Sequence, residues 1–376
     1  SYRRRVYNSA SERSEEVSEP GLYSADLNAE AMFTGDDSTA MRAARMAIED
    51  GYHHLALVPS CTTQITGTDL ESLASRIAER FGCNAFAVRP DRQFLGSKFG
   101  SVFGLFDALI HLMETRPVES GTVNLISRTF YGLGKDANVT EVDWVLGLIG
   151  LRTRLRFLDF CSIGEVKDFC IAEFDIQVGR NRFNSRVCDR IAEVTGRKRA
   201  LALDMPTGPS ECIRWVRDIA DYTHIGPDVV GYAESEITTR FRDGVMPYRC
   251  NLKGRTAVIY SVMARDIRWQ LEALHHVGVD VWAILFVDGF IVDRNIEVPS
   301  YEGENVIRDA DLTMLEDFVR EGVDIVVTND PDRVSRLGCR WMSLGSRHYG
   351  ILGALEWVGT LADSIRAPAV TWEEGL

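Results

Sequence analysis

Apolar and polar positions follow two alternating periods along the chain. Short apolar runs bounded by glycine, proline or polar residues are typical of buried strands, and longer stretches with apolar residues three and four apart are typical of helices. Residues 54–59 (HLALVP) show the first pattern and residues 69–81 the second, with Thr68 or Asp69 in position to cap the helix. The succession recurs to the C-terminus. It predicts an α/β protein with parallel sheets and right-handed crossovers.

The predicted elements form three units behind a polar N-terminal arm at residues 1–30. We expect Rossmann-like, doubly wound domains at 31–153, 154–240 and 241–376, and a connection containing glycine and proline at 226–254. Strands are expected at 54–59, 85–89, 122–127, 155–159, 174–178, 200–204, 256–262, 280–287 and 323–328. Helices are expected at 38–50, 69–81, 101–115, 140–150, 164–171, 184–195, 209–223, 264–277, 311–321 and 351–366.

Composition and charge narrow the class of protein. The 376 residues are 45% hydrophobic and 26% charged, which is typical of soluble globular proteins. A net charge of −13 argues against a nucleic-acid-binding role and against a basic membrane-binding patch. No apolar run has the length of a membrane span, and the residues after Ser1 lack the apolar core of a signal peptide. We therefore expect a cytoplasmic protein without nucleic-acid or membrane partners.

Common nucleotide-binding and hydrolytic motifs are absent from the sequence. There is no G-x-x-x-x-G-K-[ST] phosphate loop, because residues 132–135 (GLGK) have neither the spacing nor the following serine or threonine. No G-x-G-x-x-G follows a predicted strand, and neither G-x-S-x-G nor H-E-x-x-H occurs. We expect that this chain binds no nucleotide and hydrolyses no ATP itself.

Among eight scattered cysteines, Cys61 has the most informative position. No two cysteines have C-x-x-C spacing, which excludes a zinc ribbon and a thioredoxin-like motif. Cys61 follows the strand at 54–59 and precedes the helix at 69–81, at the edge where open α/β sheets bind ligands. A thiol near a helix N-terminus has a lowered pKa, and its thiolate binds iron or zinc. From position alone, a buried structural cysteine and a metal ligand are both open interpretations.

Several segments, in order along the chain, resemble nitrogenase component 1 chains. Residues 60–70 (SCTTQITGTDL) resemble the cysteine motif that holds the family's cluster, and residues 94–97 (FLGS) and 104–109 (GLFDAL) resemble the segment beside that cluster. Further similar segments are residues 205–210 (MPTGPS), 254–260 (GRTAVIY), 324–329 (DIVVTN) and 349–355 (YGILGAL). The resemblance extends over residues 19–366.

The resemblance implies three Rossmann-like domains and an α-type partner chain in an (αβ)2 heterotetramer. It also implies an iron–sulfur cluster shared at the αβ interface, of [8Fe-7S] P-cluster type or [4Fe-4S], and a transient homodimeric iron protein that hydrolyses ATP. Cys61 matches a thiolate ligand of that cluster, and Phe94 matches an aromatic residue next to it. Gln93 stands where β chains of nitrogenase carry a serine that can ligate the cluster. Because the family's other cluster cysteines precede the segment that Ser1 opens, we expect the natural chain to begin upstream.

Departures from the α-type pattern favour a β-type chain that relays electrons. Gly179 follows the strand at 174–178 where the α-type chain has its cofactor cysteine, and His348 only loosely resembles the cofactor histidine. We therefore expect no catalytic residue here and an active site on the partner. By elimination, from chain length and the Gln93 position, the resemblance favours a methylthio-alkane reductase, which cleaves carbon–sulfur bonds. A nitrogenase β chain, a cofactor-assembly scaffold and a metal-free α/β binding protein are the alternatives.

Overall fold

The computed structural model describes residues 21–25, 37–59, 68–89, 99–127, 135–157, 161–263, 266–287 and 301–368. Its helices are α1 (Ser38–Glu49), α2 (Leu70–Phe81), α3 (Phe99–Ile110), α4 (Lys135–Leu148), α5 (Ile163–Lys167), α6 (Arg182–Thr195), α7 (Gly208–Thr223), α8 (Pro227–Leu252), α9 (Arg268–Val277), α10 (Leu312–Arg320), α11 (Pro331–Val334) and α12 (Gly350–Arg366). Its strands are β1 (His54–Leu57), β2 (Asn84–Ala87), β3 (Glu119–Ile126), β4 (Arg152–Phe157), β5 (Ala172–Val178), β6 (Leu201–Leu203), β7 (Thr256–Ser261), β8 (Asp280–Phe286), β9 (Val306–Arg308), β10 (Ile325–Thr328) and β11 (Trp341–Ser343).

The strands form three sheets, with the orders β1-β2, β4-β3-β5-β6 and β11-β10-β7-β8-β9. The parallel pairs are β1–β2, β3–β5, β5–β6, β7–β8, β8–β9, β7–β10 and β10–β11. Since helices connect the parallel strands, the predicted α/β class with parallel sheets is confirmed. Among the helices of the described ranges, none combines the length and the apolar character that a transmembrane span requires.

The chain divides into two compact units. Unit A comprises Ser1–Tyr131 with Thr153–Leu203, and unit B comprises Gly132–Arg152 with Asp204–Leu376. Unit A contains the β1–β2 sheet and, except for Arg152, the four-stranded sheet, and unit B contains the five-stranded sheet. The predicted arm and the three predicted domain boundaries stay a prediction.

Strand β3 belongs to the four-stranded sheet, whereas the sequence pattern grouped it with β1 and β2. Its residues Val123 and Leu125 lie opposite Phe174 and Ile176 of β5. Residues 122–127 are all buried, so both faces of the strand are covered. A strand of this kind belongs in the interior of a sheet, and β3 lies between β4 and β5. Sequence order alone does not reveal which strands flank β3 in the sheet.

The predicted connection at 226–254 is wrong, because this segment forms the long helix α8. Buried apolar residues recur four positions apart along it, at Ala233, Ile237, Phe241 and Val245. This spacing builds one apolar face, which stabilises the helix despite its glycines and its internal proline. The first proline occupies the first turn, where a missing N–H costs nothing.

Glycine also allows α8 to pack closely against α12. A Cβ atom at Gly244 would lie 2.6 Å from the side chain of Leu355.

The sequence pattern also missed β9 and β11, the edge strands of the five-stranded sheet, which have three residues each. A segment of three residues is too short to show an alternation of apolar and polar positions.

Candidate functional site

The sequence-predicted cluster residues all follow one edge of the β1–β2 sheet. Leu57 lies opposite Ala87 at the carboxyl ends of these two parallel strands. Cys61 comes four residues after the end of β1, and Gln93 and Phe94 come six and seven residues after the end of β2. Cys61, Gln93 and Phe94 themselves lie outside the described residues. The chain nevertheless leaves toward all three from the same sheet edge, which is where α/β proteins bind ligands.

The helix that follows Cys61 begins with the predicted cap. The Asp69 carboxylate accepts hydrogen bonds from the backbone N–H groups of Glu71 at 3.2 Å and Ser72 at 3.0 Å. Of the two predicted capping residues, Asp69 is therefore the one that caps α2. The helix ends at Gly82, whose φ of +64° is a left-handed conformation that favours glycine. The predicted strand and helix on either side of the Cys61 turn are thus both confirmed.

Gly104 brings α3 against the chain that leads from β2 toward Phe94. A Cβ atom at position 104 would lie 2.0 Å from the carbonyl oxygen of Arg89 and 3.2 Å from the Val88 side chain. The distance to the Arg89 carbonyl oxygen does not permit a side chain without displacement of α3 or of the backbone after β2. The close approach to Arg89 therefore explains why the motif at residues 104–109 begins with glycine.

Burial raises the pKa of several described cysteine thiols. Burial raises the pKa of the Cys188 thiol to about 12 and that of Cys339 to about 11. Burial also raises the pKa of Cys212 well above its ordinary value. Thiols held in the neutral form are poor iron ligands. Within the described ranges, no three His, Cys, Asp or Glu side chains are arranged to hold a metal ion. Cys61 stays the predicted ligand.

A cleft of about 350 Å³ lies in unit B. Residues at the starts of α7, α9 and α12 and from the loop after β11 line it. The lining residues are Thr207, Asp266, Trp269, Gln270, Gly345, Ser346, His348 and Tyr349. Of this lining, the sequence indicates only His348 and the segments at 205–210 and 349–355.

Helices α7 and α12 begin side by side at this cleft. Thr207 and Gly350 form an isolated parallel bridge, and the Gly350 N–H donates to the Pro206 carbonyl at 2.8 Å. The backbone amides at such helix starts carry partial positive charge. The cleft therefore adjoins two positive helix ends.

Carboxylates of the same unit cap both helix starts. Glu141 of α4 accepts from the N–H groups of Ile351 at 2.9 Å and Leu352 at 3.0 Å. Glu272 of α9 accepts from the N–H of Ser210 at 3.2 Å and from its hydroxyl at 2.6 Å. The positive ends are thus already neutralised by the chain itself.

His348 is buried and its orientation is fixed. Its exposed fraction is 9%, and its Nδ1 hydrogen-bonds the Glu356 carboxylate of α12. The His348 backbone N–H donates to the Ser346 hydroxyl at 3.3 Å, which donates to the Gly353 carbonyl at 2.9 Å. The structure places His348 against the cleft, without a second histidine or a cysteine among the residues that line it.

The family model of the nitrogenase component 1 type oxidoreductases matches residues 1–345. The chain belongs to this family. The solved structure of nitrogenase Cp1 at pH 5 is similar, with a TM-score of 0.60 and 16% identity, over 96% of this chain and 81% of that chain. Nitrogenase Cp1 at pH 6.5 is similar with a TM-score of 0.55 and 16% identity, over the same shares of 96% and 81%. At this identity the likeness shows the fold. No curated protein matches the chain.

For this nitrogenase component 1 type chain, the resemblance predicted from ordered motifs is confirmed. Sequence reasoning missed Gln270, Asp266 and Trp269 in the cleft, and Glu356 behind His348. His348 and Glu356 are eight residues apart, whereas side chains that meet on one helix are three or four residues apart. Because His348 precedes α12, the helical period of the sequence does not indicate this contact. The helical period of 264–277 was the signal that could have placed Gln270 on a buried face.

Proposed function

We propose that this chain is the β-type subunit of a nitrogenase-like reductase and that Cys61 ligates an iron–sulfur cluster shared with an α-type chain. The observation that carries the proposal is the common edge of β1 and β2, from which the chain leaves toward both Cys61 and Phe94. Membership in the family of nitrogenase component 1 type oxidoreductases supports it.

The donor chemistry of this chain suits a shared cluster. A cluster at the interface, of [8Fe-7S] or [4Fe-4S] type, would accept and pass on single electrons. Cys61 would contribute a thiolate, Phe94 would help to exclude water and Gln93 would lie beside the cluster. One thiolate from this chain is too few for a cluster, so further ligands would come from the partner chain.

The role we propose is electron relay within an (αβ)2 heterotetramer. The donor is a homodimeric iron protein that hydrolyses ATP, since this sequence has no phosphate loop. Gly179 follows β5 with a φ of +88° and offers no thiolate there, which supports an active site on the α-type partner. For the complex we propose reductive carbon–sulfur cleavage of methylthio-alkanes, because Gln93 departs from the nitrogenase β pattern.

Iron analysis of the anaerobically purified complex tests the cluster assignment. Cys61→Ser should remove the interface cluster and its spectroscopic signal and weaken association with the partner. Cys83→Ser is the matched control, since burial raises the pKa of that thiol, and it should retain the iron. An unchanged iron content in Cys61→Ser would contradict the assignment.

Turnover separates the reductase from a scaffold. The complex is supplied with its iron protein, ATP, reductant and a methylthio-alkane, and release of the thiol and the alkane is measured. Clusters that are present without turnover of this substrate or of dinitrogen would favour the cofactor-assembly scaffold. Turnover of dinitrogen alone would favour a nitrogenase β chain.

A further inference from the structure

Arg89 follows β2 and contacts both of the helices that come after the segments with the predicted cluster residues. Its guanidinium forms an ion pair with the carboxylate of Glu71, in the first turn of α2. Its backbone carbonyl oxygen lies against Gly104 of α3, where an added Cβ atom would be 2.0 Å away. A single residue therefore joins the start of α2 to α3.

The backbone on either side of this ion pair is fixed by hydrogen bonds. The Val88 N–H donates to the Leu57 carbonyl at 2.9 Å, next to the last paired residues of β1 and β2. The Glu71 N–H donates to the Asp69 carboxylate at 3.2 Å, so the partner of Arg89 belongs to the capped turn of α2. Arg89 thus connects three anchored parts of unit A, which are the sheet edge, α2 and α3.

The segments that carry Cys61 and Phe94 both leave from this point and return to it. Cys61 comes four residues after Leu57, and the turn with Glu71 closes its segment on the other side. Phe94 comes five residues after Arg89, and α3 closes its segment. Since a chain spans at most about 3.6 Å per residue, these tethers keep both residues within about 20 Å of the same point. A shift of one tether moves one segment relative to the other.

We propose that Arg89 is a positioning residue for the interface cluster, because its ion pair with Glu71 holds the Cys61 segment in a fixed relation to the Phe94 segment. This inference rests on the proposed role of Cys61 as a cluster ligand. The contact with Gly104 fixes the backbone of Arg89, and its guanidinium carries a permanent charge for the carboxylate.

The exposure of this ion pair makes its role separable from folding. The side chains of Arg89 and Glu71 are 74% and 54% exposed. Exposed ion pairs contribute little to the free energy of unfolding, because water and salt screen the two charges. An effect of Arg89 on the cluster should therefore appear without a comparable effect on the stability of the chain.

The test measures the cluster of the anaerobically purified complex. Its readouts are the rate at which iron is released to the chelator bathophenanthroline disulfonate and the visible circular dichroism of the cluster. Arg89→Ala should accelerate iron release about two- to fivefold, the factor that corresponds to the energy of an exposed ion pair. It should also change the dichroism of the cluster and leave the urea midpoint of unfolding as in the wild type.

A double-mutant cycle assigns the effect to the ion pair. Glu71→Gln should change both readouts as Arg89→Ala does, and the double variant should add nothing further, since either substitution removes the same interaction. Arg89→Lys keeps the charge and should remain close to the wild type. A role in folding alone would not give this pattern at a constant urea midpoint.

Arg199→Ala is the matched control. Arg199 forms an ion pair with Asp189 in unit A at 2.8 Å, and the two side chains are 61% and 43% exposed. The sequence around this pair carries none of the predicted cluster residues. The substitution should leave iron release and the dichroism of the cluster unchanged.

Three results would overturn the inference. They are iron release and dichroism in Arg89→Ala that equal the wild type, effects that add in the double variant, and a urea midpoint that falls in parallel with the faster iron release. If Arg89→Ala does not assemble, Glu71→Gln decides by the same readouts. Failure of the proposed function is distinct, because Cys61→Ser would then retain its iron. Failure of this inference alone leaves Cys61→Ser without the cluster and Arg89→Ala like the wild type.

Discussion

Gly104 of α3 lies so close to Arg89 that a Cβ atom at position 104 would be 2.0 Å from the Arg89 carbonyl oxygen. Because that oxygen belongs to the backbone, a side chain at 104 can be accommodated only if α3 or the chain after β2 moves. The segment after β2 leads directly to Gln93 and Phe94 in the sequence. The contact therefore links the packing of a helix to the position of the predicted cluster residues.

Gly104→Ala should destabilise the protein by about 1–3 kcal/mol, the usual cost of overpacking. The free energy of unfolding in urea measures it. Gly147→Ala on α4 is the control, because nothing lies within 4 Å of a Cβ atom there, and it should be stabilising by about 0.5–1 kcal/mol. Equal effects of the two substitutions would show that the Arg89 contact imposes no constraint.

Glu141→Gln should destabilise unit B by about 1–3 kcal/mol, because hydrogen bonds to a charged group are weakened. The Glu141 carboxylate is 3% exposed, caps α12 and pairs with Arg240 at 2.5 Å. Urea unfolding provides the measurement. Glu316→Gln removes an exposed partner of Arg320 and should change the free energy of unfolding by less than about 0.5 kcal/mol. A Glu141→Gln effect as small as that of the control would mean that the cap is dispensable.

Cys188 should make the protein less stable at alkaline pH. Burial raises the pKa of its thiol from 9.0 to about 12, so between these values the unfolded chain releases a proton that the folded chain keeps. The stabilisation is complete below pH 9 and is lost as pH rises toward 12. Between pH 9 and 10.5, Cys188→Ala should lose up to about 2 kcal/mol less unfolding free energy than the wild type.

The control for this pH dependence is Cys250→Ala. Cys250 is exposed, so its replacement should leave the alkaline loss of stability as it is in the wild type. Parallel pH profiles for Cys188→Ala and the wild type would contradict the prediction. The same two variants should retain the iron of the assembled complex, since neither thiol is a predicted ligand.

His348→Ala should leave turnover of the assembled complex within a few-fold of wild type. The reason is that the proposed active site lies on the α-type partner, while His348 is held by Glu356 in unit B. Turnover is measured with iron protein, ATP and reductant, with iron content and assembly state checked in the same preparation. A much larger loss with clusters and assembly intact would move the active site onto this chain.

Local patterns in the sequence determined the α/β class and most of the elements. The β1–α2 pair is an example, since the apolar period of each element and the Asp69 cap depend on residues within a few positions of one another. The ordered motifs likewise identified the family, because a motif is a property of consecutive residues. These features need no knowledge of what packs against them.

Tertiary contacts decided the features on which the sequence pattern was wrong or silent. Helix α8 was missed because glycine and proline are local breakers, whereas its stability comes from an apolar face packed in unit B. The cleft depends on contacts that join distant parts of the chain, such as Glu141 with Ile351 and Gln270 with Leu344. The sequence determines the chemistry of each of these groups. Only packing determines which groups are buried together, because hydrogen bonds between distant positions form when the elements that carry them meet.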